Sequence, residues 1–107
     1  MTLRCPILPG DVSAVARALL LVGADSRRGL CRQIFAGAAL AFQHVEDHRR
    51  LHPVWGDGTL NAAARRFPLA PEPGFEDRDY AAATQMVLAV LMDGNLRSDC
   101  GPRTAST

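Results

Sequence analysis

The sequence contains no lysine, and all 12 of its basic side chains are arginines. A GC-rich genome explains this bias more simply than a functional demand does. The 11 acidic residues nearly balance the arginines and leave a net charge of +1. That balance excludes a protein that holds a polyanion by bulk attraction, because such a protein carries a large basic excess. Phosphate contacts would instead be local, through the planar fork of individual arginines.

Cysteine is also scarce: Cys5, Cys31 and Cys100 are widely spaced and form no C-x-x-C pair. An odd, scattered set indicates reduced thiols rather than a disulfide framework or a zinc site. The chain has no apolar run of the about 20 residues that span a membrane, and its first residues lack the apolar segment of a signal peptide. We therefore expect a cytoplasmic protein without a membrane partner.

Strand alternation and internal repeats are missing, whereas helical periodicity recurs along the chain. We predict an all-α fold of one small domain, with helices over residues 12–22, 26–51, 60–66 and 77–93. The very short link at residues 23–25 predicts an antiparallel hairpin of the first two helices. We expect residues 1–94 to form the helical domain and residues 95–107 a flexible C-terminal tail.

Polar and glycine residues mark the expected helix ends. Asp11 is predicted to cap the first helix, and Gly23 is predicted to end it in the left-handed conformation. Gly94 is predicted to end the fourth helix. The third helix follows a glycine-rich turn, in which Thr59 or Asp57 can act as its cap.

The second predicted helix is the organising element, because it is apolar over most of its girth. Its predicted length of about 39 Å exceeds the diameter of about 34 Å expected for a compact monomer of this size. We therefore predict a homo-oligomer held together by the middle of this helix. The predicted interface residues are Ile34, Phe35, Ala38, Ala41 and Phe42.

Three histidines, His44, His48 and His52, follow at intervals of four residues near the end of that helix. Two histidines with this spacing can share a metal ion. The chain lacks an H-E-x-x-H motif and an evident third ligand beyond Asp47 or Glu46, so we predict no metal site. Capping, packing or an interface role is simpler, since a helix C-terminus favours imidazolium.

Arginine doublets flank the second helix, with Arg27 and Arg28 at its start and Arg49 and Arg50 at its end. In one subunit such doublets are usually solvated charges. Repeated around a symmetric oligomer, they would form basic rings that contact phosphates without reading bases. We predict these four residues as the DNA-binding set. The sequence carries no catalytic motif, so we predict neither an enzyme nor a cofactor.

Several segments together resemble a family of small helical proteins encoded beside the packaging genes of gene transfer agents. These segments are residues 52–60 (HPVWGDGTL), 62–64 (AAA), 9–12 (PGDV), 16–20 (ARALL) and 79–80 (DY). The resemblance implies a small terminase-like subunit: an oligomer, such as a ring, that presents DNA to the large terminase subunit. Few residues precede the first helix, and the helix-turn-helix of phage small terminases is missing. The resemblance therefore implies DNA binding without sequence preference.

Two other classes of function remain open at this point. The chain could be a non-enzymatic adaptor in a virion or regulatory assembly, without contact to nucleic acid. It could also be a small protein that responds to a metal or ligand through its histidine face.

Overall fold

The computed structural model describes the backbone of residues 6–100 and the side chains of residues 6–93. This part of the chain folds into four α-helices: α1 (Pro9–Leu19), α2 (Ala24–His48), α3 (Leu60–Ala64) and α4 (Arg78–Cys100). Its β structure is one isolated bridge, between His52 and Gly56. The all-α prediction is therefore confirmed. None of these helices is both long and apolar enough to cross a membrane.

Helix α1 begins earlier than predicted, at Pro9. Proline suits the first helical position, because the N–H that it lacks would have no partner there. Asp11 lies inside the helix instead of capping it: its carboxylate accepts a hydrogen bond from the Leu8 N–H at 2.8 Å. The same buried carboxylate accepts a second bond from the Asn61 N–H at 3.0 Å. One side chain thus joins the starts of α1 and α3.

Helix α2 is shifted towards the N-terminus relative to the prediction. Gly23 has φ −63° and is the N-cap of α2, so it does not end α1 in the left-handed conformation. At the other end, Arg49 adopts that conformation with φ 56°, and its N–H donates to the Val45 carbonyl. The helix therefore ends at His48, before the predicted end at residue 51.

The molecule has the length to accommodate α2. Its principal extents are 38 × 32 × 23 Å, whereas α2 has 25 residues and measures about 37 Å at the usual helical rise. The helix lies within an elongated molecule and does not require other copies to cover its ends. The estimate of about 34 Å assumed a spherical molecule, and the length of α2 therefore does not by itself support self-association.

The core forms where α1, α3 and α4 pack on α2, and α1 makes its most extensive contacts with α4 and α3. Many of the buried side chains are alanines, which allow helix backbones to approach closely. Larger side chains fill the remaining space, and those that are fully buried include Leu19, Ile34, Leu60 and Tyr80. The Tyr80 hydroxyl donates to the Ser13 Oγ at 3.1 Å, which joins α4 to α1.

The predicted oligomer interface lies inside the subunit. Ile34, Ala38 and Ala41 have no exposed surface, and Phe35 is 4% exposed. Phe42 is partly buried, and Gly58 packs against its backbone. These positions of α2 are therefore covered by the chain's own helices and turn, and the buried ones cannot also bind a second copy while the subunit stays folded.

The turn after α2 packs against that helix through its glycines and its tryptophan. The Trp55 ring lies directly on Gly37, where any Cβ would overlap the indole. Gly58 has φ 101°, and a Cβ there would lie 2.8 Å from the Phe42 Cα. The Thr59 hydroxyl then caps α3 by accepting from the Ala62 N–H. Trp55 thus holds the turn against α2, and glycine is required at both Gly37 and Gly58.

The proline-rich connector after α3 is tied to α1. The Arg17 side chain donates to the Ala70 carbonyl at 2.7 Å, and the Ala70 N–H donates to the Arg17 carbonyl at 3.2 Å. Asp77 then caps α4 by accepting from the Asp79 and Tyr80 N–H groups.

Helix α4 continues past Gly94, where it was predicted to end. Within a helix, glycine costs only about 1 kcal/mol relative to alanine, which surrounding residues can offset. The predicted flexible tail covers residues 95–107, and residues 101–107 lie outside the described part of the chain.

Two glycines of α2 allow a matched test of the Trp55 contact. A Cβ at Gly29 would meet open space, whereas a Cβ at Gly37 would overlap Trp55. Gly29→Ala should therefore raise the free energy of unfolding by about 1 kcal/mol through helix propensity. Gly37→Ala should lower it by about 1–3 kcal/mol through overpacking. Urea unfolding measures both, and equal stabilisation by the two changes would show that the ring does not lie on Gly37.

Candidate anion-binding site

The three histidines meet at the C-terminal end of α2. The ring centroids of His44 and His48 are 4.6 Å apart, and those of His44 and His52 are 5.0 Å apart. His44 and His48 are one turn apart on the helix, whereas His52 lies beyond its end. The chain reverses at Arg49, and the turn returns the third ring to the first. The spacing in the sequence therefore predicted the cluster, although the helix does not extend to His52.

An open cavity of about 560 Å³ lies beside these rings. Its lining combines two imidazoles and one guanidinium with apolar surface: His44, His48, Arg50, Leu51 and Pro53. Leu51 is 68% exposed, so the cavity is a surface recess rather than an internal void. A recess with these polar groups offers hydrogen-bond donors and positive charge to a ligand from solvent.

His52 is held by the backbone of its own turn. Its Nδ1 accepts hydrogen bonds from the Val54 N–H at 3.0 Å and the Trp55 N–H at 3.1 Å. In the neutral ring this leaves the proton on Nε2, which is then a donor without a lone pair for a metal. Consistently, no group of three or more His, Cys, Asp or Glu side chains in the described range is arranged to hold a metal ion.

The surroundings of His44 favour its neutral form. Its pKa is lowered, first by desolvation and then by the charges that His48 and His52 can carry, while Asp47 acts in the opposite direction. Asp47 accepts a hydrogen bond from Gln43 at 3.0 Å, so its carboxylate is partly engaged along the helix. His44 therefore holds its proton weakly as long as no negative charge enters the cluster.

Arg27 is not available to DNA as it was predicted to be. Its guanidinium forms a bidentate pair with Asp79, at 2.7 and 3.0 Å, and its Nε donates to the Val22 carbonyl. The side chain is 13% exposed. The pair raises the pKa of Arg27 and lowers that of Asp79. Arg27 thus links the start of α2 to α4. Asp79 lies far from it in the chain, and no local feature of the sequence indicates that the two residues pair.

The other three predicted arginines lie on the surface. Arg28, Arg49 and Arg50 are exposed, and within residues 6–93 none of them pairs with a carboxylate. The structure brings Arg50 to the histidine cavity, a combination that the sequence analysis had kept as two separate features. Arg28 lies at the opposite end of α2 and belongs to no common site with them.

Cys31, the cysteine within the range whose side chains are described, is a core residue. Cys31 is fully buried, and burial raises the pKa of its thiol to about 12. At neutral pH it is therefore a protonated thiol without nucleophilic reactivity.

Residues 5–91 match the family described as a domain of unknown function (DUF7742). No curated protein and no solved structure matches the chain.

The lowered pKa of His44 predicts a loss of stability in mild acid. A histidine in the unfolded chain has a pKa of about 6.5. The contribution of His44 to the free energy of unfolding is therefore fully present above that pH, and it is lost as the pH falls towards the lower pKa of the folded state. Urea unfolding should give a lower free energy at about pH 5.5 than at about pH 7.5, and His44→Gln should flatten this dependence. Asp57 and Asp79 also have lowered pKa values, but they change the free energy of unfolding only at a pH near or below 3.8, the ordinary pKa of aspartate. Greater stability at the lower pH would contradict the assignment.

Proposed function

Because the chain belongs to the DUF7742 family, whose description names no activity, we propose its function from its own surface and from its resemblance to packaging proteins. We propose a small terminase-like, non-enzymatic subunit that binds DNA without sequence preference and recruits the large terminase subunit for packaging. The observation that carries the proposal is the basic end of α2. There Arg49 and Arg50 are exposed beside three clustered histidines.

The charge at this end of α2 suits a phosphate backbone. Arg49 and Arg50 lack carboxylate partners among the described residues, so their guanidinium groups can bind phosphates without first breaking an ion pair. Such contacts position a protein on DNA but carry no base information. Arg28 would add a separate contact at the other end of the helix. Arg27 leaves the set, because DNA would have to displace Asp79.

The resemblance supports the same region. Its most distinctive segment, residues 52–60, forms the turn that packs on α2 and returns His52 to the cluster. In the proposed subunit, this segment shapes the DNA-contacting end rather than a catalytic centre.

Self-association belongs to the proposal, but it must use a surface other than the buried face of α2. A homo-oligomer, such as a ring of α1–α2 hairpins, would bring copies of the basic end together. Exposed apolar side chains are available for subunit contacts, among them Leu40, Leu88 and Met92. The same side chains favour a second candidate, an adaptor that binds a protein partner without touching nucleic acid.

The DNA contact can be tested with two doublets of equal charge change. Arg49→Glu with Arg50→Glu should weaken binding to duplex DNA for every sequence tested, whereas Arg65→Glu with Arg66→Glu should have a smaller effect. Wild-type affinity should fall with salt, with a slope of about −0.9 in log affinity against log salt for each phosphate contacted. Fluorescence anisotropy at several salt concentrations measures these values.

Two outcomes would oppose this assignment. Equal weakening by both doublets would indicate bulk charge, and no binding by the folded wild-type protein at low salt would favour the adaptor. Arg27→Gln separates stability from contact: it should lower stability by removing the Asp79 pair while leaving the DNA affinity of the folded protein unchanged.

Self-association is tested by mass in solution. Light scattering should give a multiple of the 11.5 kDa subunit, and Leu88→Gln with Met92→Gln should reduce that mass if α4 forms the contact. Ala38→Glu should unfold the subunit instead of separating the copies, because Ala38 is fully buried. A monomer at high concentration would remove the ring from the proposal and leave the adaptor.

A further inference from the structure

We infer that the cavity at the end of α2 is a proton-coupled binding site for a tetrahedral oxyanion, the chemistry of a nucleic-acid phosphate. This inference deepens the proposed function and rests on it for the identity of the ligand. His44, His48 and Arg50 line the cavity, and Arg50 is its permanent cation. His52 lies outside that lining and joins the site through its ring contact with His44.

The geometry selects an anion over a metal cation. Arg50 lines the same cavity as His44 and His48, and its charge repels a cation. The Nδ1 of His52 accepts hydrogen bonds from the Val54 and Trp55 N–H groups, so the neutral ring carries its proton on Nε2. A metal needs lone pairs, whereas an oxyanion accepts from N–H donors. The His52 ring thus offers an N–H group, which a metal ion cannot bind but which a phosphate oxygen can accept.

Anion binding and proton binding must favour each other here. The rings of His44 and His48 are centred 4.6 Å apart, so placing a positive charge on both is unfavourable without a neighbouring negative charge. A bound oxyanion offsets that repulsion and makes the second protonation easier. By linkage, a site that takes up protons on binding has an affinity that rises as the pH falls.

Other charged groups modify this coupling but do not cancel it. On α2 itself, Asp47 faces His44 and favours its protonation, although it also accepts from Gln43. From the turn, Arg50 and His52 oppose protonation of the cluster. The C-terminal dipole of α2 attracts protons and repels an anion with about half an elementary charge. Arg50 and two imidazolium groups together outweigh that partial charge.

The histidines give the test a complete readout. The chain contains three histidines, and all of them belong to the cluster, so every imidazole signal in a proton–carbon spectrum reports on this site. Sulfate is the suitable first probe, because it stays doubly charged in mild acid whereas phosphate changes its own protonation. We expect added sulfate to raise the apparent histidine pKa values relative to chloride at equal ionic strength. Sulfate affinity should increase by about tenfold per pH unit for each proton taken up.

Variants locate the effect. Arg50→Gln should weaken sulfate binding at every pH, and His48→Gln should reduce its dependence on pH. Arg66→Gln removes an equal charge from a residue outside the cavity lining and should change neither. Inorganic phosphate and a short oligonucleotide should then perturb the same three signals, and excess sulfate should displace the oligonucleotide from them.

The outcomes separate this inference from the proposed function. Sulfate binding without DNA binding would keep the oxyanion site and refute the role in packaging. DNA binding with unperturbed histidines would keep the proposed function and refute the site. Equal responses to sulfate and chloride, or tighter binding of zinc than of sulfate at neutral pH, would overturn the inference as well.

Discussion

The contact between the Trp55 ring and the bare backbone at Gly37 fixes the arrangement of the molecule after α2. With the ring seated there, Gly58 comes against Phe42, and both glycines must lack a Cβ for the surfaces to meet. The turn then delivers Thr59 to cap α3. Helix α3 is too short to be stable alone, so its position depends on this cap, on burial and on the bond from the Asn61 N–H to Asp11. A single aromatic contact thus connects α2, through α3, to the start of α1.

Much of this fold was predictable because its signals are local. Helical periodicity located the four helices, and the turn chemistry before α3 indicated its cap. Ends that depend on alternatives of similar energy were less predictable. Pro9 could either precede α1 or be its first residue. The residue that ends α2 in the left-handed conformation is an arginine, whereas glycine is usual at such a position. An apolar helix also cannot reveal whether its own chain or another copy covers it. That question is decided by helix packing, to which residues far apart in the sequence contribute.

The candidate site shows the same division between local and distant information. The spacing of His44, His48 and His52 predicted neighbouring rings, but only His44 and His48 meet along the helix, and His52 reaches them through the turn after it. The fate of the arginine doublets could not be predicted from their positions. Arg27 and Arg28 are neighbours in sequence, yet Arg27 binds Asp79 on α4 and Arg28 remains exposed. A helix directs adjacent residues about 100° apart, so one doublet divides between a structural and a surface role.

The end of α2 carries two kinds of basic side chain, arginines and histidines, and different parts of the structure hold them in place. Arg49 and Arg50 follow directly from the helix, and their charges are permanent. His52 depends on the turn, because one of the two N–H groups that hold its Nδ1 belongs to Trp55 itself. Loosening Trp55 from Gly37 would therefore release His52 from the cluster while leaving His44, His48 and the arginines in place. Attraction of phosphate and the coupling between His44 and His48 thus both belong to the sequence at the end of the helix, whereas the third ring depends on the tertiary contact that seats the turn.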